Sequence, residues 1–324
     1  MHHTLVIYAG GTIGMAPGPN GLAPNAELES NLRHALAAHE QMADFDFVSM
    51  SPLIDSSDAT PSDWQRLAGT IKANSNYKAY IILHGTDTMA FAAAALSFMF
   101  AGSPKTIIFT GSQVPLLLPE NDAVDNFMGA LRSRDGGYQG VSLYFGGQLL
   151  EANRCHKASS QDFHAFVNGN GKGTKPATAF VYDGQITPEQ HGSVGLIYFY
   201  PGISAASVQQ ALSSKDLKLV LLLSFGAGNI PAADSALVAA LAEAKERGIC
   251  LFNISQCRHG GVQQDNYATG SVLSRAGVRH ASDINLEAAF AKAHVLIAQG
   301  LQGPALADAM CENLAGEIGG NSQE

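Results

Sequence analysis

Two threonines lie in short glycine-rich turns that directly follow apolar, strand-like segments. Thr12 follows the segment Thr4–Tyr8, and Thr86 follows Ala79–Leu83. In an α/β protein, ligands bind in the crevice outside the carboxyl ends of the parallel strands. A threonine hydroxyl becomes a useful nucleophile when a base or a hydrogen-bond relay removes its proton. Two hydroxyls delivered to that crevice from separate strands therefore predict nucleophilic chemistry.

Two further predicted strands also end in polar side chains. One is followed by Asp55-Ser56-Ser57-Asp58 and the other by Thr110-Gly111-Ser112-Gln113. Each of these turns has an ordinary structural interpretation. Thr12 can bond within its own turn, and Asp87 can cap the helix that follows it. The convergence of four polar strand ends favours a functional site over four unrelated turns.

The first turn also approximates the glycine fingerprint of dinucleotide-binding folds. That fingerprint requires a helix to open within the glycines, so that its first amides meet the pyrophosphate. Residues 15–24, which follow Gly14, contain three prolines and two glycines and cannot continue a helix. The segment therefore predicts a tight turn with close backbone approach, followed by a mobile loop that serves as a lid.

Other site chemistries lack their sequence patterns. The chain has no GxSxG nucleophile elbow, no P-loop and no HExxH pair. Its eleven histidines show no metal-ligand spacing, so no metal site is predicted. The four cysteines form no CxxC pair, and we expect them to be reduced thiols.

The elements that position these residues alternate between strand and helix, which predicts a parallel sheet with flanking helices. The first series of predicted strands is Thr4–Tyr8, Phe45–Met50, Ala79–Leu83, Thr106–Phe109 and Val141–Phe145, with helical patterns near Ala26–His39, Pro61–Ala73, Asp87–Ala101 and Asn121–Arg134. Regularity lapses from Gly146 to Gly192, where a hairpin, a linker or both are expected.

A second, shorter alternation follows the irregular stretch. It consists of strands Val194–Tyr200, Leu217–Leu223 and Ile249–Ile254, helices Ala205–Leu212 and Ala232–Arg247, and two final helices, Ile284–Gln299 and Pro304–Leu314. We therefore predict an α/β protein with two domains. A larger N-terminal parallel-sheet domain, residues 1–190, carries the threonines, and a smaller C-terminal α/β domain covers residues 191–324.

Composition narrows the classes of function. The net charge is −9 and no run of Lys or Arg occurs, which argues against a nucleic-acid partner. The longest nearly apolar run, Met89–Ala101, is too short to cross a bilayer, so no membrane partner is expected. No signal-peptide pattern precedes the first strand, which predicts a cytoplasmic protein. Only 15% of the residues are charged, well below the usual ~25%, and this favours an oligomer.

The chain resembles the bacterial L-asparaginase family, and within it the cytoplasmic type I branch. The matching segments, in the family's order and spacing, are Ala9-Gly10-Gly11-Thr12-Ile13-Gly14-Met15, Asp55-Ser56-Ser57-Asp58, Leu83-His84-Gly85-Thr86-Asp87-Thr88-Met89, Thr110-Gly111-Ser112-Gln113-Val114-Pro115, Asn153-Arg154-x-x-Lys157, Tyr200-Pro201-Gly202-Ile203 and Tyr267-Ala268-Thr269-Gly270. They cover nearly the whole chain.

The resemblance implies a role for each matching residue. Thr12 corresponds to the primary nucleophile, and Thr86, Asp87 and Lys157 correspond to a second catalytic cluster. In this interpretation a lysine desolvated beside Thr86 could accept its proton, and a neighbouring aspartate orients the lysine. Amides of the glycine turn are candidate donors to the oxyanion.

The resemblance also implies the substrate contacts and the assembly. The substrate-binding residues are then Asp55, Ser56, Ser57 and Thr86, with Asp87 holding the α-ammonium group of the substrate. The implied reaction converts L-asparagine to L-aspartate and ammonia through an acyl-enzyme, without metal or cofactor. The implied assembly is a homotetramer built as a dimer of dimers.

The sequence departs from the family pattern at two positions and leaves alternatives open. Ala9 stands where the family usually has threonine, and Leu22 stands where the lid usually offers a tyrosine. The alternative functions are a mixed glutaminase-asparaginase, the ammonia-releasing subunit of a tRNA-dependent amidotransferase, and a non-catalytic amino-acid sensor. The joint presence of both hydroxyls and Lys157 argues against a sensor, because binding alone does not need them.

Overall fold

A computed structural model describes residues 4–19, 21–38, 44–263 and 268–319 of the chain. The chain divides into two compact units, Met1–Asn168 and Gly169–Glu324. The domain boundary at 190/191 that the sequence predicts lies later in the chain and stays a prediction.

The N-terminal unit contains a six-stranded sheet with the order β4-β1-β5-β6-β7-β8. Its elements in chain order are β1 (Thr4–Tyr8), β2 (Met15–Gly18), β3 (Gly21–Pro24), α1 (Leu28–Ala38), β4 (Asp46–Ser49), α2 (Pro61–Ala73), β5 (Ala79–Leu83), α3 (Met89–Met99), β6 (Thr106–Thr110), α4 (Ala123–Asp135), β7 (Gly140–Phe145), β8 (Gln148–Glu151), β9 (Cys155–Lys157) and β10 (Phe166–Asn168). Strands β4, β1, β5, β6 and β7 are parallel to one another, and β8 pairs antiparallel with β7. The predicted parallel-sheet α/β class is confirmed.

The register of the sheet makes four strands end at the same level. Tyr8 pairs with Ser49 on one side and with Leu83 on the other, and Leu83 pairs with Thr110. The chain passes from β1 to β4 on one side of β1 and then to β5 on its other side. This reversal is a topological switch point, where the carboxyl ends of the strands open a crevice.

Both faces of the central strands are buried, as expected for a parallel sheet covered by helices. Every residue of β1, β5 and β6 is buried. On one face, Val6, Tyr8 and Ile81 pack in a core cluster with Leu32 of α1 and Phe127 of α4. The apolar runs therefore fix the strands, and the turns that follow them remain at the sheet edge.

Helix α2 begins at the position that its sequence predicts. Thr60 and Asp63 form a capping box, in which the Thr60 amide and hydroxyl donate to Asp63 Oδ2 at 2.9 and 2.8 Å. Pro61 occupies the first turn, where its missing N–H has no cost.

The segment after Gly14 differs from the loop that its sequence predicts. Strands β2 and β3 pair as an antiparallel ribbon, from Met15 opposite Pro24 to Gly18 opposite Gly21. A ribbon of two strands has only edges, so its prolines are tolerated where a central strand would reject them. In the irregular stretch that follows β8, β9 and β10 form a second antiparallel pair.

The C-terminal unit contains a parallel sheet with the order β11-β12-β13-β14. Its elements are β11 (Val194–Tyr198), α5 (Ala205–Ala211), β12 (Leu219–Ser224), α6 (Ser235–Glu246), β13 (Cys250–Ser255), α7 (Ala268–Arg275), β14 (Arg279–His280), α8 (Leu286–Ala298) and α9 (Gly303–Cys311). The second α/β series of the sequence is confirmed, and α7 and β14 are additions to it. Of the matching motifs, Tyr267 lies outside the described residues.

A buried ion pair fixes the segment that follows α9. Lys292 of α8 and Glu317 are both fully buried, and Lys292 Nζ lies 2.7 Å from Glu317 Oε1. Lys292 also donates to the carbonyls of Met310 and Glu312, and Glu317 accepts the amide of Leu314 at 3.0 Å. Burial lowers the pKa of Lys292, and the charge of Glu317 opposes that shift.

Two further observations concern the described part of the chain. None of its helices is long and apolar enough to cross a membrane. The four cysteines, Cys155, Cys250, Cys257 and Cys311, carry free thiols, in agreement with the expectation from sequence.

Candidate active site

Glycines bring three of the strand-end turns into direct contact. Gly10 has φ +143°, and a Cβ on it would lie 2.1 Å from the carbonyl oxygen of Ile54. Gly11 has φ +98°, and a Cβ there would lie 2.4 Å from the amide nitrogen of Gly85. A Cβ on Gly85 would in turn lie 2.4 Å from Ser56 Oγ. The turns after β1, β4 and β5 can approach this closely only because these positions lack side chains.

Thr12 begins a single 3₁₀ turn, Thr12–Gly14, immediately after these glycines. The turn is closed by the Gly14 amide, which donates to the Gly11 carbonyl at 3.2 Å. Thr12 is partly exposed, and its hydroxyl is not hydrogen-bonded to any residue that the structure describes. The interpretation that Thr12 serves only to stabilise its own turn therefore has no support in the geometry.

Thr86, Asp87 and Lys157 form one hydrogen-bonded cluster, as their sequence resemblance implies. Lys157 Nζ donates to Thr86 Oγ1 and to Asp87 Oδ1, both at 2.7 Å. Strand β9 delivers the lysine from a segment 70 residues further along the chain. Thr86 is buried, the Lys157 side chain is 19% exposed, and the Asp87 side chain is 64% exposed. The cluster therefore presents a carboxylate to solvent and a lysine–hydroxyl pair beneath it.

Gln113 completes the environment of the Thr86 hydroxyl. Thr86 Oγ1 donates to Gln113 Oε1 at 3.4 Å, and Gln113 Nε2 donates to the carbonyl of Asp162 at 3.2 Å. The backbone amide of Gln113 is held by the buried carboxylate of Asp122. Sequence reasoning assigned no role to either residue. Gln113 lay in a matching motif, and Asp122 lay within the helical pattern predicted near Asn121–Arg134.

The predicted substrate-binding residues fall into two groups. Ser56 is buried, and its carbonyl accepts the hydroxyl of Thr88 at 2.8 Å, which links the turns after β4 and β5. Asp55 and Ser57 are exposed and bonded to each other, with Ser57 Oγ donating to Asp55 Oδ1 at 2.9 Å. Thr88 is the N-terminal cap residue of α3, yet its side chain does not cap that helix.

The ribbon of β2 and β3 carries Leu22 at the position where the family usually has a tyrosine. Leu22 of β3 is 49% exposed and has no group that could carry a proton. A nearby tyrosine, Tyr8, is buried beneath the first turn, where a Cβ on Gly14 would lie 2.2 Å from its hydroxyl oxygen. Burial raises the pKa of Tyr8 to about 12, so its phenol stays protonated at neutral pH.

Two further observations define the chemistry of the site. His84 is buried with Nδ1 2.8 Å from the carbonyl oxygen of Gly85, and burial lowers its pKa, so it is a neutral wall residue. Within the described ranges, no group of three or more His, Cys, Asp or Glu side chains could hold a metal ion. The arrangement combines the Thr12 hydroxyl, a lysine–threonine pair and an exposed carboxylate. It suits attack on an electrophilic carbon of a substrate with a cationic group.

Known asparaginases are similar to this chain along nearly its whole length. The model of the asparaginase N-terminal domain matches residues 3–186, and that of the glutaminase/asparaginase C-terminal domain matches residues 193–310. L-asparaginase 1 of Escherichia coli K12 is 38% identical, with 97% of each chain covered. The 60 kDa lysophospholipase of Homo sapiens is 35% identical over 97% of this chain and 61% of its own length. The crystal structure of L-asparaginase I from Vibrio cholerae superposes with a TM-score of 0.85 at 36% identity, covering 98% of each chain.

Proposed function

This chain belongs to the asparaginase family, and from that premise we propose that it hydrolyses the side-chain amide of L-asparagine to L-aspartate and ammonia. The observation that carries the proposal is the placement of the Thr12 hydroxyl, which no described residue engages, and the Thr86–Lys157–Asp87 cluster at adjoining strand ends. No step of the proposed reaction requires a cofactor.

The substrate is held by its zwitterionic end. The exposed carboxylate of Asp87 binds the α-ammonium group of the substrate, and its Oδ1 atom also accepts a hydrogen bond from Lys157 Nζ. Ser56 and Ser57 offer hydroxyl groups on the neighbouring turn, and Asp55 orients Ser57 through the Oδ1 contact. This arrangement aims the side-chain amide toward the glycine turn that carries Thr12.

Thr12 Oγ1 attacks the amide carbon, and the carbonyl oxygen takes up the negative charge. Backbone N–H groups of the glycine turn are the donors to that oxyanion. The C–N bond breaks, ammonia leaves, and an acyl ester on Thr12 remains. Water then hydrolyses this ester and restores the Thr12 hydroxyl.

The Thr86–Lys157 pair moves the protons of these steps. Lys157 donates to Thr86 at rest, so the pair can pass a proton through the Thr86 hydroxyl to the leaving nitrogen. The pair regains a proton from the Thr12 hydroxyl as it attacks, so that NH₃ leaves and the pair returns to its resting state. In the second half-reaction the pair accepts one proton from the attacking water and returns one to Thr12 Oγ1 as the ester breaks.

The proposal extends to assembly and location. We propose a cytoplasmic homotetramer, a dimer of dimers. Its support is a chain with only 15% charged residues and an edge strand, β11, that exposes large apolar side chains at alternate positions, Leu196 and Tyr198. Tyr200, just beyond the strand, continues the series. Light scattering after gel filtration measures the assembly.

The decisive experiment measures ammonia release from asparagine and from glutamine across concentration. The wild-type chain should release ammonia from asparagine, and Thr12→Ala should abolish the release while its circular dichroism stays native. Thr12→Ser, which keeps a hydroxyl, should retain part of the rate. Turnover of Thr12→Ala at the wild-type level would refute the assignment. Comparable rates on glutamine would identify a mixed glutaminase-asparaginase, a function that the name of the C-terminal family model includes.

A further inference from the structure

We infer that Asp122 is a positioning residue for the Thr86–Lys157–Asp87 cluster and that it acts through Gln113. Asp122 is a buried carboxylate at the N-terminus of α4, and no match or motif assigns it a role. The inference rests on the proposed function and names a residue that the reaction needs without touching the substrate.

The carboxylate of Asp122 is used by the strand-end loop and not by its own helix. An aspartate at an N-cap ordinarily accepts amides from the first turn of the helix. Asp122 makes no such side-chain cap bond. Its oxygens instead accept the Gln113 amide at 3.0 Å each and the Val114 amide at 3.1 Å. Asn126, one turn along α4, donates to the same carboxylate at 2.9 Å.

Asn126 also connects the start of this loop to the turn that follows β7. Its side-chain nitrogen also donates to the carbonyl of Gly111 at 3.0 Å, and its oxygen accepts the amide of Gly146 at 2.9 Å. Asn126 is itself 2% exposed. A Cβ on Gly111 would lie 2.5 Å from the carbonyl oxygen of His84, so the loop packs against the turn that carries Thr86. Buried, charge-assisted hydrogen bonds of this kind fix the position of the loop relative to the turn that carries Thr86.

Gln113 transmits this position to the cluster. The carbonyl of Asp162 accepts Gln113 Nε2, which fixes the orientation of the amide and turns Oε1 toward Thr86. Thr86 then donates its proton to Gln113 and leaves its lone pair for Lys157 Nζ. Asp122 sets the backbone of Gln113, Gln113 sets the rotation of the Thr86 hydroxyl, and the hydroxyl sets the path of proton exchange with Lys157.

The first test compares Asp122→Asn with Asp125→Asn, which removes an exposed carboxylate from the first turn of the same helix. An asparagine at 122 places an NH₂ group against one of the three N–H donors that the carboxylate accepts. We expect kcat to fall about 10²-fold, the loss typical of a displacement of about 1 Å at a catalytic group. KM should change less than about threefold, because Asp87 still binds the substrate. Asp125→Asn should keep the wild-type kcat.

The second test asks whether the effect passes through Gln113. Gln113→Met keeps the backbone amide that Asp122 holds and removes the acceptor of the Thr86 hydroxyl. We expect it to lower kcat as Asp122→Asn does, and the double variant to be no slower than Gln113→Met alone. The inference would be overturned if the fold-reduction in kcat of the double variant equalled the product of the two single reductions. A normal kcat in Gln113→Met would also overturn it. Gln113→Met also decides the question if Asp122→Asn does not fold.

A crystal structure of Asp122→Asn separates this inference from the proposed function. Gln113 Oε1 should move out of hydrogen-bonding range of Thr86 Oγ1, and an unchanged contact would overturn the inference. A wild-type chain that releases no ammonia would instead refute the proposed function, while the crystallographic result would still test the positioning.

Discussion

Gly11 and Gly85 pack backbone against backbone, so that a methyl group on Gly11 would lie 2.4 Å from the amide nitrogen of Gly85. The contact joins the turn that carries Thr12 to the turn that carries Thr86. Because it involves no side chain, it has none of the rotamer freedom that a side-chain contact has. The relative position of the two turns is therefore set by the main chain.

Gly11→Ala should impair both stability and catalysis. The added methyl group meets the Gly85 backbone, and Gly11 also has φ +98°. Gly102→Ala is the matched control, since Gly102 has φ +71° and open space around the added atom. In the control, backbone strain should lower the free energy of unfolding by about 1–2 kcal/mol, and kcat should be unchanged. Urea unfolding and ammonia release measure both effects. Equal losses in the two variants would mean that the Gly85 contact is not important.

Lys157→Met should lower kcat by about 10²–10⁴-fold, the contribution typical of a general acid–base group. Methionine keeps the length of the side chain and removes the donor to Thr86 and Asp87. Lys78→Met, at an exposed position of the same unit, is the control and should retain activity. Initial rates of ammonia release give the comparison. A nearly normal kcat in Lys157→Met would show that the lysine is only structural.

Tyr8→Phe should be neutral or stabilising at pH 7 and should protect the fold at high pH. In the described structure the buried Tyr8 hydroxyl has no hydrogen-bond partner, so phenylalanine loses nothing there. Burial raises the pKa of Tyr8 from 10.0 to about 12. The unfolded chain ionises first, so the free energy of unfolding is unaffected by Tyr8 ionisation below pH 10 and falls as the pH rises from 10.0 to about 12.

Urea unfolding between pH 7 and 12 tests this behaviour, with the exposed Tyr198→Phe as control. The free energy of unfolding should fall less steeply above pH 10 in Tyr8→Phe than in the wild type or in the control. A large loss of stability in Tyr8→Phe at pH 7 would reveal a partner for the hydroxyl. A loss of activity at unchanged stability would give Tyr8 a place in the proton path.

Glu317→Leu should destabilise the protein by about 3–5 kcal/mol, because it leaves Lys292 buried without its counter-charge. Lys292→Met with Glu317→Leu removes both charges and should recover part of the loss. Denaturant unfolding of the single and double variants forms the test. A double variant that is less stable than Glu317→Leu would show that the two charges do not depend on each other.

Apolar runs made most of the fold predictable. The bounds of β1, β5 and α2 coincide with those predicted from the sequence. The two strands are continuous apolar runs followed by glycine-containing turns, and the helix begins at a capping box. The ribbon of β2 and β3 was missed, since its prolines exclude a central strand and leave no apolar alternation. The two-residue strand β14 is too short to carry any pattern.

The candidate site was predictable where its residues follow strands. Thr12 and Thr86 occupy such positions, and their turns meet as the parallel sheet requires. Lys157 was identified by resemblance alone, because its contact with Thr86 spans 71 residues of sequence. Gln113 and Asp122 were missed for a related reason. The sequence places Asp122 within a predicted helix, and only the fold shows that α4 begins after it and that its carboxylate reaches back to the preceding loop.

The ion pair between Lys292 and Glu317 also sets an order of events in synthesis. The lysine leaves the ribosome on α8 before its counter-charge exists, and α8 cannot enter the core with a bare ammonium group except at high cost. The apolar side of α8 can therefore be covered at low cost only when Glu317 is in place to neutralise the lysine. The salt bridge thus makes the burial of α8 conditional on the segment that follows α9.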